Sequence, residues 1–296
     1  MSEPKYYIWA SDPHGTGQAW INLVNQAKAS YPDSQIVFGG DYIDGNKQAK
    51  ETVDFIIDRV NNHQDVALKG NHEQLMQDFV DHNDDLWYHN GAKKTVKSFL
   101  GRGFSKQKTA HLLNGSDYFN FLIKLPLIYQ TNHLIFVHAG IACWTKDWNK
   151  PATYKSLNPV FRPYALNDQD FFYLWSREKY WYGNNEDFIF AHNVTGKAIV
   201  TGHTPTMLLF GEYDNQQEGF VPTYDWRHDP DKDPKLLQRP CPVRTVQYDG
   251  EMPRYFTDDG CHGSNQHHGN ICVFTNNGKL VKIFNDDPKE EAFSEN

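Results

Sequence analysis

Five short polar clusters in this chain combine histidine, aspartate and asparagine, and each directly follows an apolar run. These residue types bind divalent metal ions and transfer protons in hydrolytic sites. Residues at the carboxyl ends of neighbouring strands share one crevice of an open α/β sheet, so clusters far apart in sequence can meet in space. The clusters are Ser11-Asp12-Pro13-His14-Gly15, Gly40-Asp41-Tyr42-Ile43-Asp44-Gly45, Gly70-Asn71-His72-Glu73, His138-Ala139-Gly140 and Gly202-His203-Thr204.

The donor types indicate which metals the clusters would bind. Carboxylates mixed with neutral imidazoles suit Mn²⁺, Fe²⁺ or Zn²⁺, whereas an all-oxygen set would favour Mg²⁺ or Ca²⁺. Two ions about 3.5–4 Å apart need a bridging anion, and Asp41, in the middle cluster, is the natural bridge. Two cations that share a water lower its pKa far enough to give hydroxide near neutral pH, and they neutralise charge on an attacked phosphate. The clusters therefore predict a two-metal hydrolase.

The leaving alkoxide of such a reaction needs a proton. A histidine beside the metals but not bound to them can donate it, provided that a carboxylate orients the imidazole and stabilises its protonated form. His72 and Asp44 are the candidates, because each lies one to three residues from a presumed ligand. We expect them to form a general-acid pair.

Strands and helices of ordinary length separate the clusters. Apolar or β-branched runs predict strands at residues 6–10, 35–38, 66–68, 134–137 and 198–201, and each run stops at a cluster. Helical periodicity appears near residues 23–27, 53–60 and 75–80. Asp12, Asp41 and Asn71 are 29 and 30 residues apart, about the length of one βαβ step. The first half is therefore predicted to alternate strands and helices and to deliver its polar residues to one sheet edge.

The second half is less regular. An aromatic-rich stretch at about residues 141–190 predicts a cap or insertion over the site, and a polar stretch at about 206–258 predicts a long excursion. A final strand pair is expected at residues 271–274 and 280–284, joined by a turn at Asn276-Asn277-Gly278. We interpret residues 1–296 as one domain with these two additions.

Composition excludes several classes of protein. The 296 residues are 39% apolar, which is enough for a sizeable core. No apolar run approaches the roughly 18–20 residues of a membrane span, and the polar start lacks a signal-peptide core, so we expect a cytoplasmic protein without a membrane partner. The net charge of −8 argues against a nucleic-acid duplex as partner. The four cysteines show no CxxC spacing, which predicts reduced structural thiols.

The five clusters resemble the ordered motifs of calcineurin-like metallophosphoesterases, in the branch of serine/threonine protein phosphatases and symmetrical diadenosine tetraphosphatases. That family's motifs are GDxHG, GDxxDRG, GNHE, HAG and GH, and the clusters match them in this order over about two-thirds of the chain. Five motifs in order are highly specific, whereas any one alone is weak.

The resemblance implies a fold, a reaction and a ligand set. The fold is a four-layer α/β/β/α sandwich of mixed sheets with a dinuclear metal site at the carboxyl ends of the strands. The reaction is phosphomonoester hydrolysis by a metal-bridging hydroxide, with His72 as general acid and Asp44 as its partner. The cofactors are two divalent ions, Mn²⁺ as first choice with Fe²⁺/Fe³⁺ or Zn²⁺ as alternatives. One ion takes Asp12, His14 and Asp41, and the other takes Asp41, Asn71, His138 and His203.

Smaller similarities extend the match. Residues 87–91 resemble the W-x-x-N-G that follows GNHE, and residues 174–177 resemble an LW-x-R motif. The latter would direct Arg177 at substrate phosphate, with Asn71 as a second substrate contact. Asp258-Asp259-Gly260 corresponds loosely to a final Asp-x-Gly turn.

One departure bears on the substrate. Where the family has arginine after the second aspartate of GDxxDRG, this chain has Gly45 followed by Asn46. A guanidinium binds a terminal phosphate through paired donors. Its loss favours diesters, or a phosphate held by residues from the cap.

The sequence is compatible with three functions. The first is a phosphomonoesterase acting on substrates that include phosphoserine or phosphothreonine in proteins. The second is a hydrolase of dinucleoside polyphosphates or other phosphodiesters, including small nucleotides. The third is a non-catalytic binding module, which fits poorly because the ligand set and the acid pair are complete. The histidines at 262, 267 and 268 are interpreted as a solvated turn, because glycine and serine surround them.

Overall fold

The computed structural model describes residues 3–141, 168–176, 193–208, 243–247, 250–262 and 267–286. Within residues 6–137 the elements are β1 (Tyr6–Ala10), α1 (Gln18–Ser30), β2 (Ser34–Phe38), α2 (Ala49–His63), β3 (Val66–Ala67), α3 (Asn71–His82), α4 (Leu86–His89), α5 (Ala92–Leu100), α6 (Lys106–Leu113), α7 (Asp117–Leu122), β4 (Ile128–Gln130) and β5 (Leu134–Val137). The later elements are α8 (Asp168–Trp175), β6 (Ala198–Thr201), β7 (Arg244–Val246), β8 (Arg254–Phe256), β9 (Ile271–Thr275) and β10 (Leu280–Phe284).

The strands form two five-stranded mixed sheets. The first has the order β10-β9-β1-β2-β3 and the second β4-β5-β6-β8-β7. Strands β1, β2 and β3 are parallel, with Ala10 opposite Phe38 and Phe38 opposite Ala67. In the second sheet β5, β6 and β8 are parallel, and Phe136 lies opposite Val200. The parallel register brings the strand ends of each sheet to one edge, as the clusters require.

Successive residues of a strand face opposite sides of its sheet, so each strand contributes to two different cores. In β1, Tyr7 and Trp9 face the core between the two sheets, where they meet Phe136 of the second sheet. Ile8 and Ala10 face the opposite way, into a core shared with helices of the first half. Burying a large apolar side chain contributes about 1.5–3 kcal/mol, so both cores stabilise the sandwich.

The outer face of the second sheet carries a smaller core. Ile135, Ile199 and Phe256 form it, and Tyr173 of α8 packs against them. The layer order is therefore helices, sheet, sheet and α8, which confirms the predicted four-layer α/β/β/α sandwich.

The predicted helices of the first half are confirmed, and their apolar stripes face the first sheet. In α1 the stripe includes Trp20, Val24 and Ala27, spaced by four and three residues, and all three are buried. Helix α3 begins at Asn71, so the third polar cluster lies on a helix N-terminus. Four short helices, α4 to α7, fill residues 86–122, where no helix was predicted.

The last part of the predicted excursion at 206–258 contains two short strands. Strands β7 and β8 lie inside it, and β8 pairs with both β6 and β7. Each has only three residues, and the buried Arg254 of β8 hides the apolar pattern of a central strand. The Arg254 guanidinium lies 3.9 Å from the Glu251 carboxylate. Residues 209–242, and most of the predicted cap at 141–190, lie outside the described part of the chain.

The strand pair predicted at the end of the chain is confirmed as β9 and β10, which are antiparallel. Cys261 and Cys272 are both fully buried. No helix in the described ranges is long and apolar enough to cross a membrane.

Candidate metal centre

All but one of the predicted site residues lie in the described part of the chain, and the loops that follow the parallel strands bring them together. Asp12 N donates to Gly40 O over 3.0 Å, and Gly202 N donates to His138 O over 2.9 Å. These bonds join the loop after β1 to that after β2, and the loop after β6 to that after β5. The residues thus assembled are all buried: Asp12, His14, Asp41, Asp44, Asn71, His72, His138 and His203.

Glycines let these loops approach the carboxylates closely. A Cβ at Gly202 would lie 1.8 Å from Asp12 Oδ2, and a Cβ at Gly70 would lie 2.2 Å from Asp41 Oδ1. Neither position can hold a side chain without displacing a carboxylate. The glycines of the third and fifth clusters therefore have a steric role at the site.

The Asp41 carboxylate lies at the centre of the site. Its Oδ2 is 3.6 Å from His14 Nε2 and 3.9 Å from His72 Nε2, and its Oδ1 is 3.4 Å from His138 Nε2. Burial alone would raise the pKa of Asp41, but the charges of the surrounding histidines outweigh burial and hold that pKa well below its usual value. Asp41 is therefore the ionised group around which the other side chains are arranged.

Two groups of donors that could each hold a metal ion meet at Asp41. In each group the donor atoms lie within 4.8 Å of one another. Asn71 Oδ1, which is 3.0 Å from His138 Nε2, adds an oxygen beside the second group. The groups are Asp12, His14 and Asp41, and Asp41, His138 and His203.

Backbone carbonyls fix the imidazoles that belong to these groups. His138 Nδ1 lies 2.8 Å from Gly39 O, and His14 Nδ1 lies 3.2 Å from Ile43 O. Because a carbonyl only accepts hydrogen bonds, each Nδ1 carries the proton, and each Nε2 can act as a metal ligand. The local backbone thus selects the tautomer that a metal site needs.

The buried carboxylates fit a cation. Asp12 Oδ2 is buried and has no hydrogen-bond partner among the described residues. Burial raises the pKa of Asp12 to about 6, although the charge of His138 opposes this rise. Burial and then the charge of Asp12 raise the pKa of Asp258 well above its usual value. Divalent cations would neutralise this concentration of carboxylates, so the donor set suits the two ions that the sequence predicted.

His72 and Asp44 form the predicted pair at the edge of the two groups. His72 Nδ1 lies 2.8 Å from Asp44 Oδ2. Burial favours neutral His72, but the charge of Asp41 and the hydrogen bond to Asp44 outweigh it and raise the pKa of His72 to about 9. His72 therefore stays protonated at neutral pH, with its Nε2 directed toward the donor groups.

Two side chains that sequence analysis gave no role hold Asp44 in place. Trp87 Nε1 donates to Asp44 Oδ2 over 2.9 Å, and Thr95 Oγ1 donates to Asp44 Oδ1 over 2.6 Å. The W-x-x-N-G similarity marked Trp87 without indicating its partner. Thr95 carried no sequence signal.

Glu73 supports the loops rather than the reacting groups. Its carboxylate accepts backbone N–H groups of Gly70, Asp41 and Tyr42, each at 2.9 Å. Burial and the charge of Asp41 raise the pKa of Glu73 to about 7. The glutamate of the third cluster thereby ties the second cluster to the start of α3.

The interpretation of residue 262 as part of a solvated turn is wrong. The His262 ring is half-buried, with its centroid 4.7 Å from that of His14 and 5.1 Å from that of His72. Nitrogen atoms of these three histidines lie within 4.8 Å of one another. Nearby His267 and His268 instead pair with Asp259 and Asp286, respectively, and of these two pairs only the second is exposed to solvent. A turn-rich sequence could not show that one of its histidines faces the site.

Arg177 lies outside the described residues, so its predicted role stays a prediction. The residues before it are described: Ser176 Oγ donates to Phe172 O, and the Trp175 ring lies 6.3 Å from the His203 ring. The carboxyl end of α8 is therefore beside the second donor group.

Comparison with solved structures shows a shared fold at low sequence identity. A cold-active protein tyrosine phosphatase has 15% identity and a TM-score of 0.50, over 94% of this chain and 78% of that one. A candidate diadenosine tetraphosphatase has 14% identity and a TM-score of 0.48, over 96% and 95%. A metallophosphoesterase from Sphaerobacter thermophilus has 12% identity and a TM-score of 0.46, over 95% and 88%.

Sequence comparison identifies the family. No curated protein matches the chain significantly. The profile of the calcineurin-like phosphoesterase family matches residues 7–207, which include every residue of the two donor groups and of the acid pair. From this match we conclude that the chain is an enzyme of the calcineurin-like phosphoesterase family.

Proposed function

We propose that this phosphoesterase uses two metal ions to hydrolyse phosphomonoesters, and that its substrates include phosphoserine or phosphothreonine in proteins. The observation that supports this proposal is the position of Asp41. It belongs to both donor groups, and the His72 imidazole lies within 3.9 Å of its carboxylate. A shared carboxylate beside a protonated imidazole is the arrangement that an activated water and a leaving alkoxide require.

Each ion would have its own ligands apart from Asp41. Mixed oxygen and nitrogen donors suit Mn²⁺, our first choice, and also suit iron or Zn²⁺. When bound, two such ions supply a water of lowered pKa and positive charge for the phosphate oxygens. We assign Asp12, His14 and Asp41 to one ion, and Asp41, Asn71, His138 and His203 to the other.

His72 would donate the proton to the leaving oxygen. Its Nδ1 is engaged by Asp44, so Nε2 is the atom that delivers the proton. Asp44 accepts three side-chain hydrogen bonds and therefore cannot turn away from His72. A positioned acid of this kind contributes about 10²–10⁴-fold to the rate.

Asn71 would contact the substrate as well as a metal ion. Its Oδ1 faces His138, which leaves Nδ2 of the same amide to donate to a phosphate oxygen. We also propose Arg177 as a phosphate contact, because it follows Ser176 in the sequence, and the ring of Trp175, the last residue of α8, lies 6.3 Å from that of His203.

Gly45 favours a second candidate function, hydrolysis of dinucleoside polyphosphates or other phosphodiesters. At this position the resembled family has an arginine, whose guanidinium suits a terminal phosphate dianion. A diester carries one negative charge fewer on the attacked phosphate and so has less need of that cation.

Rates on two matched substrates distinguish these functions. We would measure Mn²⁺-dependent hydrolysis of p-nitrophenyl phosphate and of bis-p-nitrophenyl phosphate, with a chelated sample as control. Faster monoester cleavage supports the phosphomonoesterase, and phosphopeptides become the next substrates. Faster diester cleavage favours the second candidate, with diadenosine tetraphosphate next.

One variant tests the proposed acid in the same assay. His72→Ala should retain both ions but lower turnover by about 10²–10⁴-fold. The matched control is His133→Ala, which removes an exposed histidine and should retain wild-type turnover. Loss of metal from the His72 variant would identify His72 as a ligand and contradict its assignment as the acid.

A further inference from the structure

We propose that His262 is a specificity-determining residue that donates a hydrogen bond to a terminal phosphate oxygen of the substrate. This inference rests on the proposed phosphoesterase function and assigns part of its phosphate recognition. Three observations support it: the position of the ring, the anchoring of its segment, and the fit between His262 and Gly45.

The His262 ring lies at the part of the site where phosphate must bind. It makes edge-to-face contact with His14, a proposed ligand, at a centroid distance of 4.7 Å. It also lies 5.1 Å from His72, the proposed acid. A phosphate placed between the metal centre and the acid is therefore within reach of the His262 imidazole. The residue as a whole is half-buried, whereas its Nε2 atom is fully buried.

Hydrogen bonds hold the segment that carries His262. Cys261 is fully buried, and its carbonyl accepts Asn46 Nδ2 over 2.9 Å. Two residues earlier in the turn, Gly260 N donates to Asp258 Oδ1 over 2.8 Å. A side chain on a backbone fixed in this way is positioned before substrate arrives, which a phosphate contact requires.

The backbones of Gly45 and His262 lie close together. A Cβ at residue 45 would lie 3.0 Å from His14 Cβ and 3.3 Å from His262 Cα. The φ angle of Gly45, 73°, also disfavours any side chain. A side chain at residue 45 would therefore crowd the backbone at residue 262, and glycine avoids this contact. Where the resembled family has an arginine in the second cluster, this chain has Gly45, and the imidazole of His262 lies at the same site.

The chemistry of the site favours a donor at this point. Asp12, Asp41, Asp44 and Asp258 make the described centre rich in carboxylates, which repel a phosphate wherever no cation or N–H group intervenes. An imidazole N–H can donate to a phosphate oxygen in either tautomer. The ring nitrogens of His14, His72 and His262 could also hold a third metal ion. That ion would bind His72 and prevent it from acting as the general acid.

Metal-loaded protein can separate these roles. We would compare His262→Ala and His262→Gln with the control His268→Ala, which removes a neighbouring histidine that pairs with Asp286 instead. The measurements are Mn²⁺ bound per chain, the Kd of inorganic phosphate by calorimetry, and kcat and KM for p-nitrophenyl phosphate. Thermal unfolding would verify that each variant is folded.

We expect His262→Ala to retain the wild-type Mn²⁺ content and to weaken phosphate binding about tenfold or more, the usual value of a hydrogen bond to a charged group. KM should rise in parallel, and His262→Gln should recover part of the affinity because its amide donates. Loss of an ion from both variants would show a metal ligand, and a phosphate Kd within twofold of wild type would show a packing role; either result overturns the proposal. If the wild type binds phosphate through His262 but hydrolyses neither ester, the proposed function fails while this inference stands.

Discussion

Replacing Asp44 by asparagine isolates the charge beside the proposed acid. The substitution is nearly isosteric. The asparagine Oδ1 can take over the bonds from His72 and Trp87, and its amide nitrogen can donate to Thr95 Oγ1, which now accepts from Asp44 N at 2.8 Å. Asp44→Asn should therefore fold normally and lose mainly the negative charge that holds the proton on His72.

The size of the effect follows from the pKa of His72. In the metal-free protein burial is outweighed by the charge of Asp41 and the hydrogen bond to Asp44, which raise this pKa to about 9, so the acid form predominates below that value and is lost as the pH rises through it. A hydrogen bond to a charged group contributes about 1.5–3 kcal/mol, equivalent to about one to two pKa units. A decrease to about 7 would leave about 50% of His72 protonated at pH 7 but only about 3% at pH 8.5, against about 75% in the wild type at pH 8.5. The protonated fraction of His72 in the metal-free variant should therefore be about twofold lower at pH 7 and roughly 25-fold lower at pH 8.5.

The assay is the NMR titration of the His72 imidazole in metal-free protein, compared between the wild type and Asp44→Asn. Thr95→Val is the matched control: it also removes a hydrogen bond to Asp44 but retains the charge, so the pKa of His72 should stay near its wild-type value. It should instead lower the free energy of unfolding by about 1–3 kcal/mol, because the buried Asp44 N–H loses its acceptor. If His72 titrates at the same pH in the wild type and in Asp44→Asn, Asp44 only orients the ring, and the electrostatic reasoning is refuted.

Three further predictions concern the metal ligands. Asp41→Asn should lower the affinity of both ions together, and elemental analysis that finds one ion retained at full occupancy would show that Asp41 is not shared. His138 must lose a proton to bind metal. Burial is outweighed by the charge of Asp41, which raises the pKa of His138 to about 9, so Mn²⁺ affinity should rise up to about tenfold per pH unit between pH 7 and 9. Calorimetry in two buffers of different ionisation enthalpy should detect proton release on binding, and pH-independent binding would contradict this prediction. Gly202→Ala places a Cβ 1.8 Å from Asp12 Oδ2 and should lower the Mn²⁺ content and destabilise the fold by about 1–3 kcal/mol. The control is Gly115→Ala, where a Cβ meets no atom within 4 Å; it should affect stability but not Mn²⁺ content.

Local patterns were sufficient to predict much of the fold and the donor groups. The boundaries predicted for β1, β5 and β6 agree with the structure, because each strand is an apolar run that stops where a polar cluster begins. The helices α1, α2 and α3 show the same agreement between apolar spacing and burial. Both effects arise from near neighbours in sequence, which a pattern can capture.

Contacts between distant segments could not be predicted. Asp44 and Thr95 are separated by 51 residues, and Asn46 and the carbonyl of Cys261 by 215. Strand β8 is too short to carry a period, and its central position depends on β6 and β7 on either side. The backbone at His262 packs against Gly45, so that a Cβ at residue 45 would lie 3.3 Å from His262 Cα. Each of these features depends on how two segments meet, and neither segment reveals it alone.

Backbone conformation accounts for the particular residue types at the strand ends. Two of the non-glycine residues with positive φ, Gln64 and Asn83, follow helices α2 and α3, where left-handed conformation is ordinary. The others among the described residues, with φ between 45° and 68°, are site residues: Asp12, His14, Asp41, Asp44 and His203. Aspartate and histidine tolerate this conformation better than most residues, and bonds such as His14 N to Asp41 O, at 3.0 Å, hold it. The left-handed turn reverses the chain within a few residues of a strand end, and this lets loops from both sheets direct their side chains at one point. The clusters therefore contain aspartate and histidine for two physical reasons, because these residues provide metal donors and because they accept the turn that brings the donors together.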